Sequence, residues 1–284
     1  MKFRLVARLF FVVLCAVLCA MNAAAQSSLG IVFYDVEGLY DTIPSNFYND
    51  RRYTPSGSLG WSADRYARKI ASTAAVLDSV AMPLVALCGV ENEQVVRELT
   101  EACSADYAYL HRTSDFGLGM DFALLYYGDT FLPIRIEEYG YALCVEGEIT
   151  ADGWREDDGS DSRRIAIIIT RRPRDLEHVV SRVRQRDKEC RIIVLGEVHD
   201  ADFKSLGLRD MTAVAEQSGY GTTVNEGRWR MTHRIATDLG GECRCGVYIK
   251  RWLLNREGHP QPTYQRGKYV GGYSSSLPVY LYFE

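Results

Sequence analysis

The feature that most constrains this chain is a series of short apolar runs, each ending in a polar cluster. Leu29–Val36, Leu84–Val90, Arg164–Thr170 and Arg191–Gly196 have strand length and are rich in aliphatic side chains. Tyr107–Arg112, Asp121–Tyr127, Leu132–Glu138 and Leu143–Ile149 read as consecutive strands, with further strands at Arg228–Ala236, Gly246–Arg251 and Pro278–Phe283. Helical spacing appears in Ser62–Val80, where Tyr66, Ile70, Ala74, Leu77 and Val80 share a face and Ser62 is placed to cap the first turn. Glu91–Cys103, with Val95, Leu99 and Cys103 on one side, and Asp175–Glu189 read as helices, and Asp202–Gln217 is expected to be helical. Many strands with a few interspersed helices predict two sheets face to face, flanked by helices. Both halves end strands in polar clusters, where such folds place their chemistry.

The start of the chain predicts export. Lys2, Arg4 and Arg8 precede an apolar run from Leu9 to Met21, and Ala23-Ala24-Ala25 then offers a small-residue cleavage site. We expect a signal peptide over 1–25 and a single domain over 26–284. The apolar run is shorter than the roughly 20 residues a spanning helix needs, so no membrane span is expected after cleavage. Ala151–Ser162, rich in Gly and Asp, reads as an exposed loop.

Lys2, Arg4 and Arg8 are three of the 33 basic residues, so the exported chain would carry 30 against 37 acidic ones. That balance disfavours nucleic acid as a partner, because non-specific binding to phosphate backbones rests on Lys and Arg. Cys88, Cys103, Cys144, Cys190, Cys243 and Cys245 remain. Export permits disulfides but the spacing does not demand them, and Cys243-Arg244-Cys245 alone is too few ligands for a structural zinc.

The strand-end clusters carry a resemblance as a set. IVFYDVEGLYDT (Ile31–Thr42), VALCGVEN (Val85–Asn92), GMDFALLY (Gly119–Tyr126), VLGEVHD (Val194–Asp200) and GGYSSSLPVY (Gly271–Tyr280) resemble, in order, five motifs of the endonuclease/exonuclease/phosphatase family, particularly its small exported bacterial members. The resemblance implies a four-layer α/β/β/α sandwich of two mainly antiparallel sheets flanked by helices. It also implies hydrolysis of phosphate esters with Mg2+ or Mn2+, a carboxylate holding the cation, a second one activating water, and an Asp–His pair stabilising the phosphate.

The family-equivalent catalytic positions are mostly substituted here. Gly89 stands where the resemblance implies a metal-binding glutamate, and Glu91 and Asn92 keep the surroundings. Glu197 replaces an aspartate and His199 an asparagine; moving a catalytic group by ~1 Å can cost about a hundredfold in rate. Ser275 and Ser276 stand for the Asp–His pair, Arg171 for a histidine, Leu118 for an arginine, and His233 falls where relatives have an aspartate. Asp35, Glu91 and Glu197 are the candidates for a residual metal site, and Glu37, Asp121 and Asp200 keep their places in the pattern.

Three readings follow. In the first, the chain no longer hydrolyses phosphate esters and acts by binding or scaffolding, since catalytic groups that act as a unit fail together. In the second, Glu197, His199, His233, Asp35 and Asp200 form a rebuilt metal-dependent site. In the third, Arg171, Arg172 and His199 hold a phosphorylated or sulfated ligand without cleaving it.

Overall fold

The computed structural model describes residues 29–112, 120–150, 163–199 and 201–283 of the chain. The expected signal peptide, Leu118, Gly119, the Ala151–Ser162 loop and Asp200 lie outside the described residues. In chain order the elements are β1 (Gly30–Leu39), α1 (Ala63–Val80), β2 (Leu84–Val90), α2 (Glu93–Ala102), β3 (Ala108–Arg112), β4 (Asp121–Tyr126), β5 (Phe131–Tyr139), β6 (Ala142–Ile149) and β7 (Arg164–Thr170). There follow α3 (Leu176–Arg186), β8 (Arg191–Glu197), β9 (Arg209–Asp210), α4 (Ala213–Gln217), β10 (Thr223–Asn225), β11 (Arg228–Arg230) and β12 (His233–Thr237). The chain closes with β13 (Cys243–Val247), β14 (Tyr264–Gln265), β15 (Lys268–Tyr269) and β16 (Val279–Phe283).

Two six-stranded sheets result, ordered β13-β16-β1-β2-β4-β3 and β5-β6-β7-β8-β12-β9. Each is antiparallel except for one central parallel pair, β1 with β2 and β7 with β8. A parallel pair needs a crossover, and α1 and α3 provide them. This is the α/β/β/α sandwich expected from the element order.

The central strands are apolar without interruption because both of their faces are covered. In β1, Ile31 and Phe33 point between the sheets, while Val32, Tyr34 and Val36 point at α1 and α2. In β7, Ile165, Ile167 and Ile169 face the other sheet, and Ala166 and Ile168 face α3. Full burial of each such aliphatic side chain stabilises by about 1.5–3 kcal/mol. The Ser62 hydroxyl caps α1 by accepting from the Arg65 N–H at 3.4 Å. Asn92 caps α2 by accepting from Val95 N at 2.9 Å, so α2 starts two residues later than expected.

Three segments differ from the sequence reading. Residues 202–217 form turns, the short β9 and only a five-residue α4. Gly207 sits at φ +65° there, and Asp210 Oδ1 accepts from Thr212 N at 2.9 Å and Thr212 Oγ1 at 2.6 Å, a local bond that competes with helix. Arg228–Ala236 divides at Met231–Thr232: β11 folds back on β10 while β12 pairs with β8. The strand expected at Gly246–Arg251 is shifted to Cys243–Val247, where it pairs with β16, and Arg251–Leu253 is a 3-10 turn. All six described cysteines are free thiols. Among the described residues no helix is long and apolar enough to cross a membrane.

Gly196 aims the end of β8. Its φ is +139°, and a Cβ there would lie 1.8 Å from the Thr170 carbonyl oxygen of β7. Gly196→Ala must therefore push apart the central parallel pair. Urea unfolding of this variant is expected to show a loss of roughly 3 kcal/mol or more, in the range of severe strain at a special backbone position; a loss under about 1 kcal/mol would contradict the packing described.

Candidate functional site

The carboxyl-terminal ends of β1, β2, β7 and β8 converge at one edge of the sandwich. Asp35 is the centre. Its Oδ1 accepts from Glu37 N at 2.9 Å, and its Oδ2 lies 3.2 Å from Arg171 Nη2, just beyond β7 in the other sheet. Arg171 Nε donates to the Cys88 thiol at 2.7 Å. Burial, with Asp35 beside it, pushes the Cys88 thiol up, so the sulfur accepts this bond as a neutral group.

Gly89 shapes the backbone here. The β1–β2 register breaks between Asp35 and Leu39, and Gly89 lies in the bulge at φ +84°. A side chain at 89 would start 3.1 Å from both Asp35 Oδ1 and Gly38 N, in a conformation that L residues rarely adopt. Position 89 thus lacks a carboxylate and is also shaped for glycine.

Glu37, at φ +58°, reaches across the bulge. Its Oε2 accepts from Thr263 N and Ser275 N, each at 3.1 Å. Burial raises its pKa, opposed by the nearby Lys69. Lys69 is 2% exposed; its ammonium donates to Thr263 Oγ1 at 2.7 Å and to the Tyr273 carbonyl. Burial lowers the Lys69 pKa to about 8, against the pull of Glu37 and Asp35.

The closing motif turns onto β1. Ser274 and Ser276 hydroxyls both donate to the Asp35 carbonyl, at 2.7 and 3.1 Å, and Ser275 is exposed. His233 opens β12 opposite Glu197 of β8, with its Nε2 3.8 Å from Asp35 Oδ2. Burial lowers its pKa to about 4, so the imidazole is neutral at pH 7, and its buried Nδ1 has no hydrogen-bond partner among the described residues.

Other residues of the sequence reading lie elsewhere. Glu91 is 1% exposed and turned to the loop after β1: its Oε2 accepts from Asp41 N at 2.7 Å and its Oε1 from Tyr48 OH at 3.0 Å. His199 is exposed and lines a cavity of about 530 Å3 with Arg230 and Arg234, whereas Arg171 is turned to Asp35 and Cys88. Asp121 is buried at the start of β4, opposite Val90.

Glu91 therefore does not converge with Asp35 and Glu197. Among the described residues no group of three His, Cys, Asp or Glu side chains is placed to hold a metal ion. Among the described residues the donors do not fit a divalent cation, because Asp35 already faces a guanidinium and Glu91 points away. Lys69 and the Cys88–Arg171 bond were missed by sequence reasoning. Lys69 had a visible signal, since it falls three residues after Tyr66 and beside Ile70 on the apolar side of α1.

The architecture is that of the endonuclease/exonuclease/phosphatase fold. Solved structures with this fold include D. rerio TDP2 complexed with a single-strand DNA product, at 13% identity and a TM-score of 0.57, covering 91% of this chain and 99% of that one. A mannosyl-6-phosphatase from Bacteroides thetaiotaomicron aligns at 15% identity and a TM-score of 0.55, over 89% and 98% of the two chains. An endonuclease/exonuclease/phosphatase protein from Bacteroides vulgatus aligns at 9% identity and a TM-score of 0.56, over 90% and 98%. The sequence model of the endonuclease/exonuclease/phosphatase family matches residues 30–169, from β1 through β7. The chain is a homologue of the endonuclease/exonuclease/phosphatase family. None of the curated proteins matches it.

Two measurements test this geometry. Arg171→Ala leaves Asp35 and the Cys88 thiol without their shared donor and is expected to lose roughly 1–3 kcal/mol in urea unfolding. Arg171→Lys should recover only part, since an ammonium lacks the fork that spans two acceptors. Separately, burial raises the Glu91 pKa from an ordinary 4.5 to about 8, so the folded state holds this proton more tightly than the unfolded chain. Its contribution is full below about 4.5 and is lost as pH rises through 8. The stability of the parent protein relative to Glu91→Gln should fall across that window; a flat or rising difference would contradict the buried placement.

Proposed function

We propose that this chain is an exported homologue that no longer hydrolyses phosphate esters and acts outside the cytoplasm by binding or scaffolding. One observation carries the reading: the Arg171 guanidinium is seated on Asp35 and Cys88 beside a glycine-only backbone at position 89. A metal-assisted hydrolase must bring carboxylates to a cation and leave it open to water and phosphate. Here Asp35 faces a protein cation, Glu37 accepts from two backbone N–H groups, and Glu91 organises a loop. The Ser274 and Ser276 hydroxyls close on main chain. Export rests on the order of basic, apolar and small residues before Gln26.

A second reading keeps hydrolysis in a rebuilt site. It draws on His233, which lies 3.8 Å from Asp35 and opposite Glu197, although burial lowers its pKa to about 4 and so weakens it as a proton acceptor. Anion capture by Arg171 with His199 draws less support, because Arg171 is directed at Asp35 and Cys88 while His199 lines a separate cavity.

The discriminating assay uses Mg2+ and Mn2+ with a generic phosphodiester, mannose 6-phosphate and single-stranded DNA, the last two taken from the named relatives. We expect no turnover above a no-protein control and no rise in thermal midpoint with either metal. Metal-dependent turnover abolished by Glu197→Ala would sink the proposal in favour of the rebuilt site.

A further inference from the structure

The connection between β1 and α1, residues 40–61, is long for a compact domain, and loops of that length are usually functional or disordered. This one is tied down. Glu91 accepts from Asp41 N and Tyr48 OH, Asn92 Nδ2 donates to Asp41 Oδ2 at 3.0 Å, and Trp61 Nε1 donates to the Tyr40 carbonyl at 2.8 Å. Tyr40 stacks on Tyr53 at 4.0 Å, and Thr54 O accepts from both Gly57 N and Trp61 N at 3.0 Å.

This ordered loop lines an open depression of about 970 Å3. Its wall carries the cations Arg51 and Arg52, the amides of Asn46 and Asn49, several Ser and Thr hydroxyls, and no carboxylate. Asp50 is buried beneath, its Oδ2 accepting from Ser45 N at 2.9 Å. Arg52 also borders a smaller recess of about 110 Å3, walled by Tyr53, Trp61 and Tyr264 with Glu37 beside them.

We propose that this loop is a binding site for an acidic saccharide, a run of sugar rings bearing carboxylate or sulfate groups. Arginine forks match such anions in two-point hydrogen bonds. Amide and hydroxyl side chains donate to and accept from ring hydroxyls. Beside them the half-buried Tyr53 and Tyr264 offer apolar ring surface at the mouth of the recess, and apolar surface with a few convergent polar groups marks ligand sites. Neither Arg171 nor Glu197 lines the depression or the recess, and Glu37 is shared with the strand-end cluster only at the recess, so binding at the depression does not depend on hydrolysis there.

Calorimetric titration of the protein with oligogalacturonate, a heparin-derived hexasaccharide, maltohexaose and inorganic sulfate tests this. One or both acidic saccharides should bind saturably, with maltohexaose and sulfate at least tenfold weaker. Arg51→Ala/Arg52→Ala should weaken binding at least tenfold with an unchanged circular dichroism spectrum. Ser56→Asp, which puts a negative charge on the wall, should do the same and decides the matter should the double variant misfold. Glu197→Ala should bind as the parent does. Absence of binding by both acidic saccharides, equal binding of free sulfate, or affinity indifferent to the wall variants but lost in Glu197→Ala would each overturn the proposal.

Discussion

The ion pair between Arg171 and Asp35 joins the two sheets at the edge where their strand ends meet. Asp35 of one sheet and Glu197 of the other both act on the Arg171 guanidinium, and carboxylates in a partly buried place need a cation. The protein supplies it from β7's end, with Lys69 of α1 as a second internal cation near Glu37. A guanidinium suits this position because its Nε reaches the Cys88 sulfur while an Nη holds the carboxylate. An ammonium presents a point charge and would satisfy fewer acceptors in fixed directions.

Several neighbouring features become intelligible once that pair is in place. A carboxylate at position 89 would stand against Asp35 Oδ1, so glycine and its positive φ accompany the guanidinium. The Asp35 carbonyl takes two serine hydroxyls, which ties the closing motif to β1 without presenting a charge. Glu37 gives up its solvent shell but gains two backbone donors and a nearby ammonium, the compensation a buried carboxylate requires. These substitutions make one self-consistent network of protein groups.

The sandwich was legible because its central strands are covered on both faces, which forces uninterrupted apolar runs such as Ile165–Ile169, and because α1 and α2 carry their own caps. Residues 202–217 were misread because Phe203 and Leu208 owe their burial to tertiary packing and not to a helical stripe. The division of Arg228–Ala236 likewise depends on which neighbours offer free strand edges, β10 for one half and β8 for the other. At the site, the sequence identified the residues at the strand ends, including Asp35, Arg171, Glu197 and His233, which do come together. It could not say where each side chain turns. Glu91 is two residues past Gly89 and His199 two past Glu197, yet one is drawn under a loop and the other faces a separate cavity.

Glu91 makes the general point sharply. It matches the family's run at VEN, and a motif comparison alone would keep it among possible metal ligands. Its carboxylate is instead bonded to Asp41 N and Tyr48 OH, and it shares Asp41 with Asn92. A group that must lose its proton to bind a cation is here held in surroundings that favour keeping it. A matching residue thus preserves a fold's local geometry while its chemistry serves another element, in this case the loop that carries Arg51 and Arg52. Motif identity is therefore evidence for the frame, and the hydrogen-bond partners of each carboxylate are the evidence for or against the chemistry.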